Sequence, residues 1–453
     1  MRIARIFFSL LVLTFATATC SSNDDNATIE GIETLPDEVV MSQNSSIEIS
    51  IFANDNNIPV NGSLSTSSPD LGTIQIENNN TPENPSDDTI IYTVNPNNIG
   101  EDSFQYTICD DQNNCKTESV SVIINSLSIV SVFENDTPHA KLSEYNFFEG
   151  DLKDLIPTFG VVPYELISPL FSDYAKKKRF IWMPSGVAAN YVNDYSPIDF
   201  PEGTILIKNF YYNTVQPGNT TKIIETRLMY KKVNGWDFAN YVWDDQQNEA
   251  YFTNQASILN INWLEGETLK TTNYRVPSRA ECFTCHNQVD NPTPIGTKPQ
   301  NLNKDYNYDT GIANQLIKLK EIGYLHSNFP DNVNSSIAWD DSSQPLEDRV
   351  RSYLDINCAH CHSDDGHCNY RPMRFEYQLT NNLGNIGVCV EPETQFIPNS
   401  YIVTPNNTSL SVLFYRISTA DESFRMPLLG RTINHEEGIA LVEDWINSLQ
   451  NCD

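Results

Sequence analysis

The chain has 453 residues, 39% of them hydrophobic, with 28 basic against 59 acidic side chains and a formal net charge of −31. That length allows roughly two to four domains, and the composition argues against a bundle of membrane helices. Such an acidic surface repels polyphosphate, which excludes nucleic acid as a partner, and it attracts basic partners weakly and in a salt-dependent way.

Residues 1–20 read as a secretory signal. Met1-Arg2-Ile3-Ala4-Arg5 is basic, Ile6 to Phe15 is apolar, and small residues precede Cys20; the apolar run is too short to span a bilayer. Cys20 resembles the lipidated cysteine of bacterial lipoproteins, although Thr17 stands where that pattern usually has an aliphatic residue. The resemblance implies a lipid anchor at Cys20 and an outer-membrane place in the cell envelope. Ser21–Asp25 resembles the acidic tract that directs some lipoproteins to the cell surface, and residues 21–37 form a polar tether.

Export permits disulfides. Cys109 and Cys115 bracket a short acidic loop and are expected to pair. Among Cys368, Cys389 and Cys452 one further pair can form, and Cys389–Cys452 is the preferred one, with the connectivity open.

Residues 38–127 alternate short strands with Asn, Asp, Gly and Pro, for example at 46–52, 74–77, 90–94, 103–108 and 118–124. The pattern predicts a β-sandwich. Gly100–Thr107 resembles the final strands of bacterial Ig-like or cadherin-like surface repeats, which implies a spacer or adhesive module. Asp55, Asp110 and Asp111 offer oxygen ligands for calcium, but solvated acidic turns are the commoner arrangement.

Residues 140–335 are expected to form a second, β-rich domain packed by aromatics. The clearest strands are 203–212 and 222–232, joined at Pro217-Gly218-Asn219. In the second, Ile224, Thr226, Leu228 and Tyr230 share one face, and Glu225, Arg227 and Met229 share the other. No hydrolase triad, phosphate loop or HExxH pattern occurs here. Residues 336–453 are expected to be mainly α, with helical spacing at 346–356 and 435–449 and an earlier helix at 313–324. Asn434 and Glu437 suggest an N-cap and capping box for the last helix, whose buried stripe is Ile439, Val442, Trp445, Ile446 and Leu449. The fold class expected is thus multidomain: an Ig-like β-sandwich, a central β-rich domain and a mainly α C-terminal domain.

The chemistry-bearing motifs are Cys282-Phe283-Thr284-Cys285-His286 and Cys358-Ala359-His360-Cys361-His362. Both fit C-x-x-C-H, the attachment signature of c-type haem. Two thiols one helical turn apart can each add across a haem vinyl group, and the adjacent histidine can offer an imidazole nitrogen to the iron. Two such motifs in one chain predict two haem c groups, held by Cys282, Cys285 and His286 and by Cys358, Cys361 and His362. A zinc site is the competing reading, but it needs four ligands from closed, paired motifs.

The order amphipathic segment, C-x-x-C-H, Arg425-Met426-Pro427 loop, Trp445-bearing helix resembles class I cytochrome c domains. That resemblance implies Met426 as the distal ligand opposite His362. The first motif departs from the pattern: the segment 271–280 shows no helical stripe, and no methionine lies between His286 and Cys358. Its distal position is open among Met229, His326, Met183 and no side chain at all, and Met373 could serve either haem. Arg227 could pair with a haem propionate.

The stretch from Phe147 to Cys452 resembles a family of exported di-haem c-type cytochromes. The segments carrying the resemblance are Pro169–Asp173, Ile224–Arg227, Pro294–Gly296 and Arg425–Arg431. It implies electron transfer at the bacterial cell envelope with a redox partner protein, and supplies no substrate. Two other readings stay open: a peroxidase-like haem enzyme, if the first iron has an open position, and a surface adhesion or glycan-binding protein with accessory haems.

Overall fold

The computed structural model describes residues 31–453 apart from 97, 126, 133–136, 289–290, 327, 451 and 453. The signal segment, Cys20 and most of the tether lie outside the described residues. Among the described residues no helix is long and apolar enough to cross a membrane. The chain divides into two compact units, an N-terminal one drawn from residues up to 123 and a second containing residues 124–453.

The N-terminal unit is a two-sheet β fold. Its strands are β1 (Asp37–Ser42), β2 (Ser46–Ile49), β3 (Gly62–Thr66), β4 (Gly72–Glu77), β5 (Thr89–Val94), β6 (Gly100–Asp110) and β7 (Cys115–Asn125). One sheet runs β1-β7-β6-β3 and the other β2-β5-β4. Alternation along the strands places Ile90, Tyr92, Phe104, Tyr106, Val120 and Val122 in the core. Tyr92 of one sheet stacks on Phe104 of the other, and its hydroxyl donates to buried Asp102. The expected Cys109–Cys115 disulfide closes the β6–β7 turn. Asp55 and Asp110 act as hydrogen-bond acceptors here: Asp55 takes Leu35 N and Tyr106 Oη, and Asp110 takes the amides of Gln112 and Asn114.

The second unit opens with a two-residue pairing of β8 (Phe148–Glu149) with β9 (Ile156–Pro157). A large antiparallel sheet follows, ordered β10 (Val162–Tyr164), β11 (Lys176–Trp182), β12 (Ile205–Val215), β13 (Thr220–Lys232), β14 (Gly235–Trp243) and β15 (Ala250–Thr253). A hairpin of β16 (Ser257–Glu265) and β17 (Thr268–Val276) joins it through β12. The two faces of β13 separate as expected from Thr226 onward, but a bulge at Ile224 breaks the alternation: Ile223 joins the core of Leu228 and Tyr230, and Ile224 packs with Phe210 and Tyr274. Leu228 and Tyr230 enter one aromatic core with Trp182, Tyr241 and Trp243, and Met229 enters another with Leu206, Phe238 and Cys282.

Helices follow: α1 (Arg279–Cys285), α2 (Pro299–Leu302), α3 (Gln315–Glu321), α4 (Leu346–Leu354), α5 (Leu383–Ile386), α6 (Val412–Ser418) and α7 (Glu436–Ser448). Their core holds Val350, Leu354, Leu441, Val442, Trp445 and Ile446. Gly438 lets α7 lie directly on Tyr353 of α4, where a Cβ would come within 2.6 Å of the phenol oxygen and ring carbons. The preferred Cys389–Cys452 disulfide is present and fastens the segment after α7 to the loop before α6.

Three expectations change. The stretches 140–335 and 336–453, expected as separate domains, lie in one compact unit. Asn434 is not the cap of α7: His435 holds that position, and the Asn434 amide instead donates to Ser418 O at 2.7 Å and accepts from Arg431 at 3.0 Å. Glu437, expected to close a capping box, accepts from the Tyr174 hydroxyl at 2.8 Å. In both cases a tertiary partner outcompetes the local one.

Candidate cofactor site

Segments far apart in the sequence converge on one place. Asp173 ends the Pro169–Asp173 segment, is 2% exposed, and accepts from Thr432 N at 2.6 Å, Thr432 Oγ1 at 2.8 Å and Ile433 N at 3.1 Å. Arg431, also buried, donates to the carbonyls of Met426 (3.0 Å), Arg416 (3.0 Å) and Thr419 (2.9 Å). The Met426 amide in turn donates to Arg416 O at 2.8 Å. The Met-Pro loop is therefore held at its backbone from both sides, which leaves the Met426 thioether to be presented by a rigid support.

Two cavities open beside the cysteine motifs. The first is lined by Cys282, Cys285, His286, Met229, Lys208 and Arg227 among others. Phe171, Ile295, Leu429 and Arg431 also face it, so each of the four segments that carry the family resemblance reaches this wall. The second, about 1650 Å³, is lined by Cys358, Cys361, His362, Met373, Arg371 and Arg416 among others. Met426 lines both. Met229 therefore shares the first cavity with His286, whereas Met183 and His326 line neither. Met183 is packed in the apolar core.

The first motif sits on α1, a helix the sequence reading missed because Pro277 precedes it. The signal was present in Ser278 and Glu281, which form a capping box: Glu281 accepts from Ser278 N at 2.8 Å and Ser278 Oγ accepts from Glu281 N at 3.3 Å. Arg275 adds an ion pair to Glu281 at 2.6 Å. Phe283 packs edge-on against Phe238 of β14 at 4.9 Å, and the His286 ring lies 5.1 Å from the same phenylalanine. His286 Nδ1 donates to Thr293 O at 2.9 Å. That bond fixes the neutral tautomer with its lone pair on Nε2, the second-shell arrangement found for metal-ligating histidines. Burial pushes the His286 pKa down to about 3, so the ring is uncharged at neutral pH.

The second motif continues α4 through a wider turn at Asp355–Ala359. His362 is buried against Phe375 at 5.3 Å. Burial, with His360 and the cations Arg374, Arg371 and Arg416 nearby, pushes its pKa down to about 4. Both histidines are thus neutral donors of the kind an iron or zinc ion takes.

The two motifs touch. The sulfurs of Cys285 and Cys361 and a ring nitrogen of His360 all lie within 4.8 Å of one another. His360 was not singled out in the sequence; its Nδ1 is buried without a hydrogen-bond partner, and the residue lines both cavities. No signal along the chain announces this contact, because it joins α1 to a turn more than seventy residues later.

Does a porphyrin fit? Each motif offers two sulfurs a helical turn apart and a neutral imidazole; the two imidazoles face different cavities lined by apolar side chains and cations, and Cys285 and Cys358 border both. That is the donor set and the amphipathic surround that a haem with two carboxylates needs.

No curated protein matches the chain. Solved structures similar to parts of it include the PKD domain of the KIAA 1837 protein, 18% identical over 26% of this chain and 100% of that one, with a TM-score of 0.17. Others are a nucleoside hydrolase-related protein from Saccharophagus degradans, 16% identical over 20% of this chain and 22% of that one at TM-score 0.15, and extracellular cadherin domains 1–4 of protocadherin gamma B7, 7% identical over 54% and 76% at TM-score 0.16. Likenesses at these TM-scores do not bear on function. The family described as "Bacterial Ig domain" matches residues 24–123, and with the two-sheet topology above, the N-terminal unit is a bacterial Ig domain.

Proposed function

We propose that this chain is a di-haem c-type cytochrome that transfers electrons at a bacterial cell envelope, anchored through Cys20 and carrying its Ig domain as a spacer. The observation that carries the reading is the pair of C-x-x-C-H motifs, each with its histidine neutral and facing its own cavity. A bound haem supplies one-electron exchange between ferric and ferrous iron. The residues do the rest. Cys282, Cys285, Cys358 and Cys361 hold the two groups covalently, His286 and His362 offer Nε2, and Arg431 with Asp173 steadies the loop that presents Met426. Met229 lines the first cavity with His286 and is a side chain that could complete the first site. The sulfurs of Cys285 and Cys361 lie within 4.8 Å of each other, so two groups attached there would be close enough for a relay.

The net charge of −31 favours a basic electron partner. The test is stopped-flow oxidation of the reduced full-length protein by a small basic electron-transfer protein. Fast oxidation that slows as salt is added supports the reading. Absence of electron exchange, together with carbon monoxide binding and turnover of peroxide, favours the haem-enzyme alternative and contradicts the carrier.

The contact of Cys285, His360 and Cys361 favours a second cofactor reading, a thiolate–imidazole zinc site. It supplies three donors where a closed structural zinc site takes four. The bacterial Ig domain likewise favours a surface-adhesion role, which glycan or cell binding by residues 31–125 alone would support.

A further inference from the structure

Strand register builds an unusual row of charge on the face of the large sheet that looks into the first cavity. Arg179 of β11 lies opposite Lys208 of β12, and Lys208 lies opposite Arg227 of β13. Tyr164 and Asn240 extend the row at either end. Lys177, two residues before Arg179, points to the same face. Directly opposed residues on antiparallel strands have Cβ atoms only about 5 Å apart, and like charges there are destabilising.

The protein itself supplies little compensation. Fully buried Glu225 accepts from Arg227 Nε at 3.0 Å and is also held by Tyr274 at 2.6 Å. Lys177 Nζ donates to Leu170 O at 3.0 Å. Among the described residues the Lys208 ammonium has no hydrogen bond or ion pair, only the Phe210 ring 4.9 Å from its Nζ. Arg179 is 6% exposed, has no ion pair, and keeps a buried guanidinium nitrogen without a partner. Burial and the mutual repulsion of these groups push both lysines well below the usual lysine range. Glu225 is the one carboxylate paired directly with the row, Asp173 and Glu165 acting on Lys177 and Arg179 from farther away, and Lys208 and Arg227 both line the cavity that holds Cys282 and His286. The neighbouring row on the same face is apolar, with Ile181, Leu206, Met229 and Phe238 in register.

We propose that Lys208 and Arg227, with Arg179 beside Lys208 in the same row, form a carboxylate-binding site on the wall of the first cavity, filled by the propionates of a haem attached at Cys282 and Cys285. The inference rests on the haem reading for its occupant but not for its chemistry. The apolar row would meet the ring and the cationic row its two carboxylates, so the sheet would set the orientation of the group. A small free oxyanion entering the cavity has the same chemistry and is the other possible source.

The test compares the haem-loaded full-length protein with its Lys208→Met, Arg179→Met and Lys208→Arg variants, with covalent haem counted on every preparation. Thermal midpoints are read in oxyanion-free buffer and in rising inorganic phosphate. With propionates bound, either Met variant loses a few degrees without phosphate, roughly 2–4 °C for one lost charge-assisted pair in a unit of this size, Lys208→Arg recovers most of it, and phosphate has no saturable effect. With a free oxyanion as occupant, phosphate raises the wild-type midpoint saturably and leaves Lys208→Met unmoved. If both Met variants are more stable than wild type at every phosphate concentration, the row is bare repulsion and the proposal is overturned. A preparation with no haem fails the haem reading alone, because the phosphate arm is still read on it.

Discussion

Asp173→Ala probes the joint between the central sheet and the Met-Pro loop. The carboxylate is 2% exposed and accepts two backbone amides, Thr432 N at 2.6 Å and Ile433 N at 3.1 Å, besides the Thr432 hydroxyl. A hydrogen bond to a charged group contributes about 1.5–3 kcal/mol, and its loss here strands buried donors. Asp173 also has φ +48°, a left-handed conformation that aspartate tolerates and alanine resists by about 1 kcal/mol. Without assuming additivity, the substitution should cost about 4 kcal/mol, a fall of roughly 6 °C in the midpoint of a unit this size. Asp173→Asn keeps one acceptor oxygen and the backbone preference, so it should lose about half as much. Differential scanning calorimetry of the full chain measures both. A shift of the Ala variant within about 1 °C of wild type would refute the reasoning, as would equal losses for Ala and Asn. The same preparations carry a functional readout: if the loop presents Met426, the Ala variant weakens a sulfur-to-iron charge-transfer band before the protein unfolds.

Three further outcomes are expected. Gly438→Ala should destabilise the second unit by about 1–2 kcal/mol despite alanine's better helix propensity, because Tyr353 blocks the new Cβ and is itself fixed by His435 Nδ1 at 3.2 Å; a rise in the calorimetric midpoint would contradict this. In the Ig domain, burial and then Asp55 push the Asp37 pKa up to about 7. Its folded state holds the proton more tightly than the unfolded one, so stability should fall as pH rises from about 4 to 7, and Asp37→Asn should flatten that slope in urea titrations of the domain. Met426→Ala should abolish the charge-transfer band and lower one of two reduction potentials in a spectroelectrochemical titration, whereas Met373→Ala should leave both; loss of the band only in the Met373 variant would reassign the ligand.

Local signals in the sequence were read correctly where short-range physics decides them. Period-two alternation placed Leu228 and Met229 on opposite faces of β13. Helical spacing found α4 and α7, with Val442, Trp445 and Ile446 buried as expected and Leu441 added, and the preferred pairing left open among three cysteines, Cys389–Cys452, is the one formed. What escaped depends on partners distant along the chain. Asn434 has the chemistry of a cap, but its amide is occupied by Arg431 and Ser418. Asp173 and Thr432 meet across 259 positions, and no periodicity encodes such a bond. The cationic row is invisible until the register of three strands is known, since Arg179, Lys208 and Arg227 are each unremarkable alone. The candidate site was legible as two motifs; their contact through Cys285 and Cys361 was not.

The central claim is that two covalent haems occupy these motifs, and counting them tests it most directly. Mature full-length protein from a host that attaches haem c is denatured, freed of loose cofactor and assayed for haem and for metals per chain. The account predicts two haems per chain, one in the Cys282→Ala, Cys285→Ala double variant, and one in the Cys358→Ala, Cys361→Ala double variant. No covalent haem, with zinc instead retained until both Cys285 and Cys361 are removed, would contradict it.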